Sequence, residues 1–489
     1  MIAPLIRISC WLLLFCAFIS PELKEAQAKK SDSKNEEALA AQIQKLITQS
    51  KLKKDDFGIA IGSGATASAS AAINLNSRTL MIPASITKLV TGAAVLDEIP
   101  PGTKVKTQLL SGAVGSGGIL KGDLCLKGGG DPGFISESMW YLVNAFLRTG
   151  ILDIQGDLLV DESLFDDSHF DFSRQKQRVD RAYDAPVSAL SFNWNSVNVF
   201  VRPGPTVGAP AEVFLDPENE YTKINGRIIT AAAGNGQTAS AERVNGSEGD
   251  VIEVGGKISL GHSEVVIYKS ISNPPIWAGK QLKGFFLQRN VKISGQVKKA
   301  VCGSELSVLA EVESEPIERM LADMNKFSNN YVAEMLTKML GSLEEKPGSI
   351  AGGMKKINKF LKSLGVPSSE MSLVNPSGLT RENKMSAAAL LKVLEHLQQD
   401  FRLMPEMFVS LPIAGVDGTL KKRLKGTPGE RFVRAKTGYL NGVISLAGFA
   451  GNSEGRVLPF VFIYNGGGDE GKVRSVFDQI ALMLVENGG

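Results

Sequence analysis

Strand-like runs lie at both ends of this 489-residue chain, and that arrangement constrains its fold more than any other feature. Near the start, 57–63 (FGIAIGS) and 67–75 read as two strands joined by a Gly/Ala turn. Near the end come ERFVRAKTG, GVISLAGFA and VLPFVFIYN, followed by an amphipathic helical pattern, VRSVFDQIALMLVEN. Strands of this kind must pair to satisfy their backbone groups. The two ends therefore share one sheet, and whatever lies between leaves that sheet and returns to it. Between about 103 and 297 the chain is rich in Gly, Pro and Asn with short alternating runs (GDLCLKGGGDPGF, GDLLVD, SVNVFVRPGP, SEVVIYKSI), a mainly β texture with turns. From 316 to 396 the period becomes helical: PIERMLADMNKFSNNYVAEMLTKMLGS, GGMKKINKFLKSLG, SAAALLKVLEHLQQ. The expected division is 29–102 and 300–489 as one unit, with 103–299 inserted as a mainly β accessory region and a nested subdomain around 205–260.

The length favours two or more domains. Hydrophobic residues at 43% and charged residues at 21% fit a soluble globular protein. The 54 basic and 51 acidic side chains leave a net charge of +3 and no dense Lys/Arg stripe, so nucleic acid is not an implied partner. Arg7 precedes an apolar run from 8 to 19 (ISCWLLLFCAFI), too short for a stable membrane anchor. With Ala26-Gln27-Ala28 as a cleavage site, 1–28 reads as a signal peptide, and the protein as exported to the periplasm or cell envelope. Cys10 and Cys16 would leave with that segment, and Phe15 before Cys16 argues against a lipoprotein. Cys125 and Cys302 remain. An oxidising compartment permits a bridge, but the sequence does not bring the two together, and the expectation is two buried thiols.

Three short motifs occur in order: Ser85-x-x-Lys88, Ser328-Asn329-Asn330 and Lys436-Thr437-Gly438. Ser-x-x-Lys also occurs at Ser31/Lys34, Ser50/Lys53 and Ser173/Lys176, so the weight comes from order and setting. Ser85 follows Pro83 and opens an apolar helical pattern, Ser328 lies between two helical stretches, and Lys436-Thr437-Gly438 ends a strand pattern. Serine is a poor nucleophile until a base takes its proton. One helical turn on, Lys88 is within reach of Ser85. To act it must be neutral, which burial or a neighbouring cation such as Lys436 favours. Backbone N–H groups of Ser85 and Tyr439 can hold an oxyanion. Lys436 and Thr437 can grip a carboxylate, Ser328 can pass a proton between Lys88 and a leaving amine, and Asn330 can orient an acyl-side amide.

At these residues the chain resembles the low-molecular-mass class C penicillin-binding proteins, the D-alanyl-D-alanine carboxypeptidase/endopeptidase family. The segments PASITKLVTGAAVL, GDLCLKGGGDPGF, APVSALSFNWNSVNV, MNKFSNNYVAEML, NPSGLTRENKMS, LPIAGVDGTLKKRL and AKTGYLNGVISLAGF all look like family segments in family order, from about Phe57 to the C-terminus. The separation of the first two motifs, 328 − 85 = 243 residues, is also a family trait. The resemblance implies an α+β fold, a penicillin-binding serine transpeptidase/β-lactamase-like domain with an antiparallel sheet between helices. It implies a serine-type D-Ala-D-Ala carboxypeptidase, also a DD-endopeptidase, acting on peptidoglycan stem peptides through an acyl-enzyme at Ser85 and acylated by β-lactam antibiotics. No cofactor is implied. Catalytic roles fall to Ser85, Lys88 and Ser328, and substrate binding to Asn330, Lys436, Thr437, Gly438, Tyr439 and Arg381. Two departures stand out. Asn375-Pro376 stands where the family usually has Asp-Gly, a change expected at the rim of the site. Tyr439 replaces the usual Thr or Ser, which displaces a hydroxyl from the carboxylate grip.

Other readings are weaker. Gly451-Asn452-Ser453-Glu454-Gly455 matches G-x-S-x-G but has strands on both sides, and only His169, His262 and His396 are available as bases. Gly466 to Lys472 (GGGDEGK) has a P-loop setting, yet Val473 stands where a Ser or Thr should hold magnesium. Asp131, Asp157 and Asp161 sit in turn contexts, and no metal-ligand spacing appears. A β-lactamase needs a dedicated deacylating carboxylate. A non-catalytic peptidoglycan-binding or β-lactam-sensing module of the same fold is the alternative that keeps the resemblance.

Overall fold

The computed structural model describes residues 21–63, 73–112, 117–173, 180–246 and 249–487. Most of the signal segment lies outside them, as does most of the 67–75 run. The two ends of the chain do share one sheet. Its five antiparallel strands run in the order Ile73–Leu75, Phe57–Ile61, Val457–Asn465, Val443–Gly451, Val433–Leu440, with Ile59 opposite Phe462 and Leu446 opposite Phe462 on the other side. Hydrophobic alternation is absent from the inner strands because both faces are covered: Phe57–Ile61 is buried throughout, and Val443–Gly451 is buried except at its last residue. One face packs on helices Thr87–Glu98, Asn330–Ser342 and Ala387–Gln399. The other receives Ile43 and Ile47 of the long Pro21–Ser50 helix and Val473, Phe477, Ile480 and Leu484 of the C-terminal helix, Glu470–Asn487. This is the α+β arrangement of a sheet between helical layers. The Ala26-Gln27-Ala28 site lies within the Pro21–Ser50 helix.

A second five-stranded sheet lies in the middle of the sequence, ordered Val297–Lys299, Leu158–Asp161, Leu124–Lys127, Lys106–Ser111, Ser307–Glu313. Its entry strand, Lys106–Ser111, pairs with the exit strand, Ser307–Glu313, so the chain leaves and rejoins the first unit at one place. Helices Ser136–Leu147 and Pro274–Gln288 share its core, with Phe146 against Phe286 and Trp277 fully buried. Smaller sheets complete the region, among them Thr222–Gly226, Ser240–Asn245 and Asp250–Gly255.

The expectation of two free thiols is corrected. Cys125 and Cys302 form a disulfide, their Cα atoms 6.0 Å apart across 177 residues of sequence. Pairing explains the meeting: Leu158–Asp161 lies between Cys125's strand and Val297–Lys299, and the Cys302 N–H donates to Asp161 Oδ2 at 2.9 Å, which turns the chain back over Cys125. That contact spans 141 residues and leaves no mark in the local sequence.

Candidate active site

Ala84–Ile86 forms a tight 3-10 turn that runs into the Thr87–Glu98 helix, with Pro83 at its start. Ala84 has φ +52°, a conformation an alanine adopts only when its surroundings hold it. The turn presents Ser85 half-buried, while Lys88 on the same helical face is wholly buried. Lys88 Nζ lies 3.2 Å from Ser85 Oγ, 2.7 Å from Asn330 Oδ1 and 2.5 Å from the Ser377 carbonyl. A neutral amine has two hydrogens and one lone pair. Lys88 can donate both hydrogens to Asn330 and Ser377 and turn the lone pair to the Ser85 hydroxyl.

The floor beneath Ser85 comes from a segment that sequence reasoning placed elsewhere. Asn375, read from the sequence as a rim position, is fully buried. Its Oδ1 accepts from the Ser377 and Gly378 N–H groups and from Ser377 Oγ, while Asn383 holds its backbone carbonyl and Thr91 holds that of Pro376. This fixes the Ser377 carbonyl that Lys88 uses. Gly378, at φ +77°, passes so close to the Ser85 turn that a Cβ there would meet the Ala84 carbonyl oxygen at 2.0 Å. Ser377 and Gly378 thus belong to the site. The only signal for them was the Ser-Gly of the NPSGLTRENKMS segment.

Ser328 occupies the three-residue break between helices Ile317–Lys326 and Asn330–Ser342, at φ +57°. Asn329 caps the second helix by accepting from the Val332 N–H, which leaves Asn330 on the first turn facing Lys88. Ser328 Oγ accepts from Lys436 Nζ at 2.8 Å, so the described contact of Ser328 is with Lys436. Lys436 is wholly buried, and that burial lowers its pKa to about 7.

Lys436 sits on Val433–Leu440, the edge strand of the first sheet. Ala435 N–H donates to Pro412 O, and Val433 O accepts from Ala414 N–H, so these odd-numbered residues turn their backbone groups away from the sheet. By the two-residue repeat, Thr437 and Tyr439 do the same, and the Tyr439 N–H points to the open edge. Side chains alternate between faces. Lys436 and Gly438 face the Ser85 turn: a Cβ on Gly438 would lie 2.1 Å from Ser445 Oγ, 2.9 Å from the Pro83 carbonyl and 3.0 Å from the Ser85 nitrogen. Thr437 and Tyr439 project to the opposite face. Thr437 Oγ1 donates to Thr419 Oγ1 at 2.9 Å, and the Tyr439 ring is 54% exposed beneath Arg474. Arg381 is exposed and donates to the Asn441 carbonyl, beside the turn that follows the edge strand.

The structure therefore brings Ser85, Lys88, Ser328, Asn330, Lys436 and Gly438 together; Lys436 Nζ also donates to the Thr437 carbonyl at 2.8 Å, which sets Thr437 at the strand edge beside them, and Tyr439 and Arg381 lie at the rim. A cleft of about 570 Å³ opens beside Ser328 and Asn330, walled by Tyr183, Trp194, Asp216 and Tyr268 of the middle region. Ser453 lies in a hairpin turn between two strands. The glycine turn at 466–468 is filled by the protein itself, since a Cβ on Gly466 would meet Asp56 Oδ2 at 2.2 Å.

With this geometry in hand, comparison with known proteins is decisive. The profile of the D-Ala-D-Ala carboxypeptidase 3 (S13) family matches residues 39–486. The chain belongs to this family. It is a serine-type peptidase of the D-Ala-D-Ala carboxypeptidase kind, in the class C penicillin-binding group that the sequence resembles. Among relatives, a D-alanyl-D-alanine carboxypeptidase from Actinomadura sp. (strain R39) is 30% identical over 424 residues, covering 84% of this chain and 78% of the relative. A D-alanyl-D-alanine carboxypeptidase DacB from Haemophilus influenzae is 25% identical, covering 80% and 82%. The crystal structure of penicillin binding protein 4 (dacB) from H. influenzae has the same fold, with TM-score 0.78 and 24% identity over 90% of this chain and 98% of that one.

Proposed function

We propose that this S13 peptidase removes the terminal D-alanine of peptidoglycan stem peptides through an acyl-enzyme on Ser85, and that β-lactams acylate the same oxygen. The observation that carries the reading is the buried Lys88 amine 3.2 Å from Ser85 Oγ, beside an edge strand whose outward N–H groups can pair with an extended peptide. Ser85 Oγ bonds to the carbonyl carbon of the penultimate residue and gives its proton to Lys88. The N–H groups of Ser85 and Tyr439 hold the resulting oxyanion. The C–N bond then breaks, and the leaving amine takes a proton through Ser328, resupplied by Lys436 at 2.8 Å. Water hydrolyses the ester as both transfers reverse. Thr437 and Lys436 bind the leaving residue's carboxylate, and Asn330, which also reaches the Tyr183 carbonyl at 3.4 Å, orients the acyl side along the cleft. Arg381 marks a further carboxylate contact at the rim.

A β-lactam complex is described for the H. influenzae protein, and a penicillin G-acylated form for a predatory endopeptidase of Bdellovibrio bacteriovorus with the same fold. Both are consistent with covalent trapping here. Cross-link cleavage is the second activity in this reading, because a cross-link presents the same carboxylate beside the scissile amide. Purified enzyme given a pentapeptide should release one D-alanine per chain, and Ser85→Ala should release none; release by that variant overturns the assignment. Export is part of the proposal. Protein from the native host should begin between about Ser20 and Lys30, and a soluble cytosolic form that retains Met1 would contradict it.

A further inference from the structure

The leaving-group side of the site carries a contact that the reaction above does not use. Tyr439 shares its face of the edge strand with Thr437, about 7 Å away along the strand. Its ring lies under Arg474, whose Cζ is 5.3 Å from the ring centroid. Arg474 stands on the first turns of the C-terminal helix and is itself tied to Glu470, one turn earlier, at 3.3 Å. Helix and strand therefore share one clamp: Glu470 orients the guanidinium, and the guanidinium orients the ring. Beyond the ring, Arg381 pins the Asn441 carbonyl, so the backbone that carries Tyr439 is fastened on its other side too.

We propose that Arg474 and Tyr439 form a latch that sets the size of leaving group the site accepts. The inference rests on the reading that places the leaving residue's carboxylate at Thr437 and Lys436. A terminal D-alanine presents that carboxylate with only a methyl side chain. A cross-linked leaving residue presents the same carboxylate with a side chain that continues into a second peptide. Room for that continuation lies along the strand beyond Thr437, where the Tyr439 ring stands. The latch therefore favours removal of terminal D-alanine over cleavage of cross-links. Arg474 acts through Tyr439 and is a positioning residue. A cation over an aromatic face at an exposed site biases the ring about two- to fivefold, so releasing the ring should matter less than removing it.

The test compares kcat/KM for a cross-linked dimer with kcat/KM for the pentapeptide monomer on the same enzyme preparation. A loss common to both substrates, including any weakened attraction of the shared carboxylate, cancels in the ratio. Arg474→Ala should raise the dimer-to-monomer ratio about two- to fivefold. Tyr439→Ser should raise it by about tenfold or more, and Arg474→Lys, which keeps a cation over the ring, should stay near the wild-type ratio. A ratio unmoved by both Tyr439→Ser and Arg474→Ala overturns the latch. A rise in Tyr439→Ser with none in Arg474→Ala removes Arg474 from it. Labelled penicillin, applied to every variant, separates this outcome from failure of the underlying reading: wild type that takes no label on Ser85 refutes the reading itself, whereas labelled variants with an unchanged ratio refute the latch alone.

Discussion

The two lysines of the site have similar burial and different work, and single substitutions should separate them. Lys88→Ala removes the base next to Ser85, so acylation should fall about 10²–10⁴-fold for every ligand, read as the rate of penicillin labelling. Lys436→Met should penalise ligands that carry a free carboxylate more than ligands that lack one; equal loss for both would contradict a binding role. The same change should raise the thermal midpoint, because a charge is no longer buried. The sign follows from the pKa. Lys436 is lowered to about 7 in the folded protein, whereas an unfolded chain holds that proton to about 10.4. Between these values the unfolded state binds more protons, so the cost of burying Lys436 is present in full below about pH 7 and is relieved as pH rises toward 10.4. Binding runs the other way. Above about pH 7 the free enzyme loses the Lys436 charge, and kcat/KM for carboxylate-bearing ligands should decline steeply there, while ligands without the carboxylate should show a shallower decline, set only by the proton that Lys436 resupplies through Ser328. A pH profile of the two ligand types checks it.

At the scale of elements, the site is a close approach of three segments: the Ser85 turn, the 375–378 loop and the Lys436 strand. Two glycines permit it. Gly438→Ala would press a methyl between Ser445, Pro83 and Ser85 and push the edge strand away from the nucleophile; a shift of about 1 Å is enough to lower acylation about 10²-fold. Gly378→Ala would meet the Ala84 carbonyl from a backbone at φ +77° and should lose thermal stability as well as acylation, both measurable on purified protein. These contacts mark the limit of what the sequence makes legible. The motif residues could be read because their chemistry is unusual in an apolar setting, and the strands at both ends because their apolar runs are long. The role of Asn375 could not be read, because a buried amide that braces a carbonyl looks locally like any loop asparagine. Arg474 was illegible for a related reason: it is an ordinary surface arginine on an amphipathic helix until that helix is packed beside Tyr439.

For the whole molecule, the sequence raised the expectation that a mainly β region interrupts one sheet-forming unit, but gave no sign of how that region is closed. Closure depends on two long-range pairings, Lys106–Ser111 with Ser307–Glu313 and Cys125 with Cys302. The disulfide lies in a small cluster with Leu110, within the second sheet. Replacing both cysteines by serine should cost about 2–4 kcal/mol, read as an earlier urea midpoint, while the rate of Ser85 acylation stays close to wild type; a large loss of acylation would mean that the second sheet holds the site in shape. The central claim is that one oxygen, Ser85 Oγ, is the nucleophile of the whole molecule. The most direct measurement is mass spectrometry of the protein after incubation with penicillin, followed by peptide mapping. One adduct per chain on the peptide containing Ser85, absent in Ser85→Ala, is the predicted result. An adduct that persists in Ser85→Ala, or that maps to the peptide containing Ser453, would contradict the account.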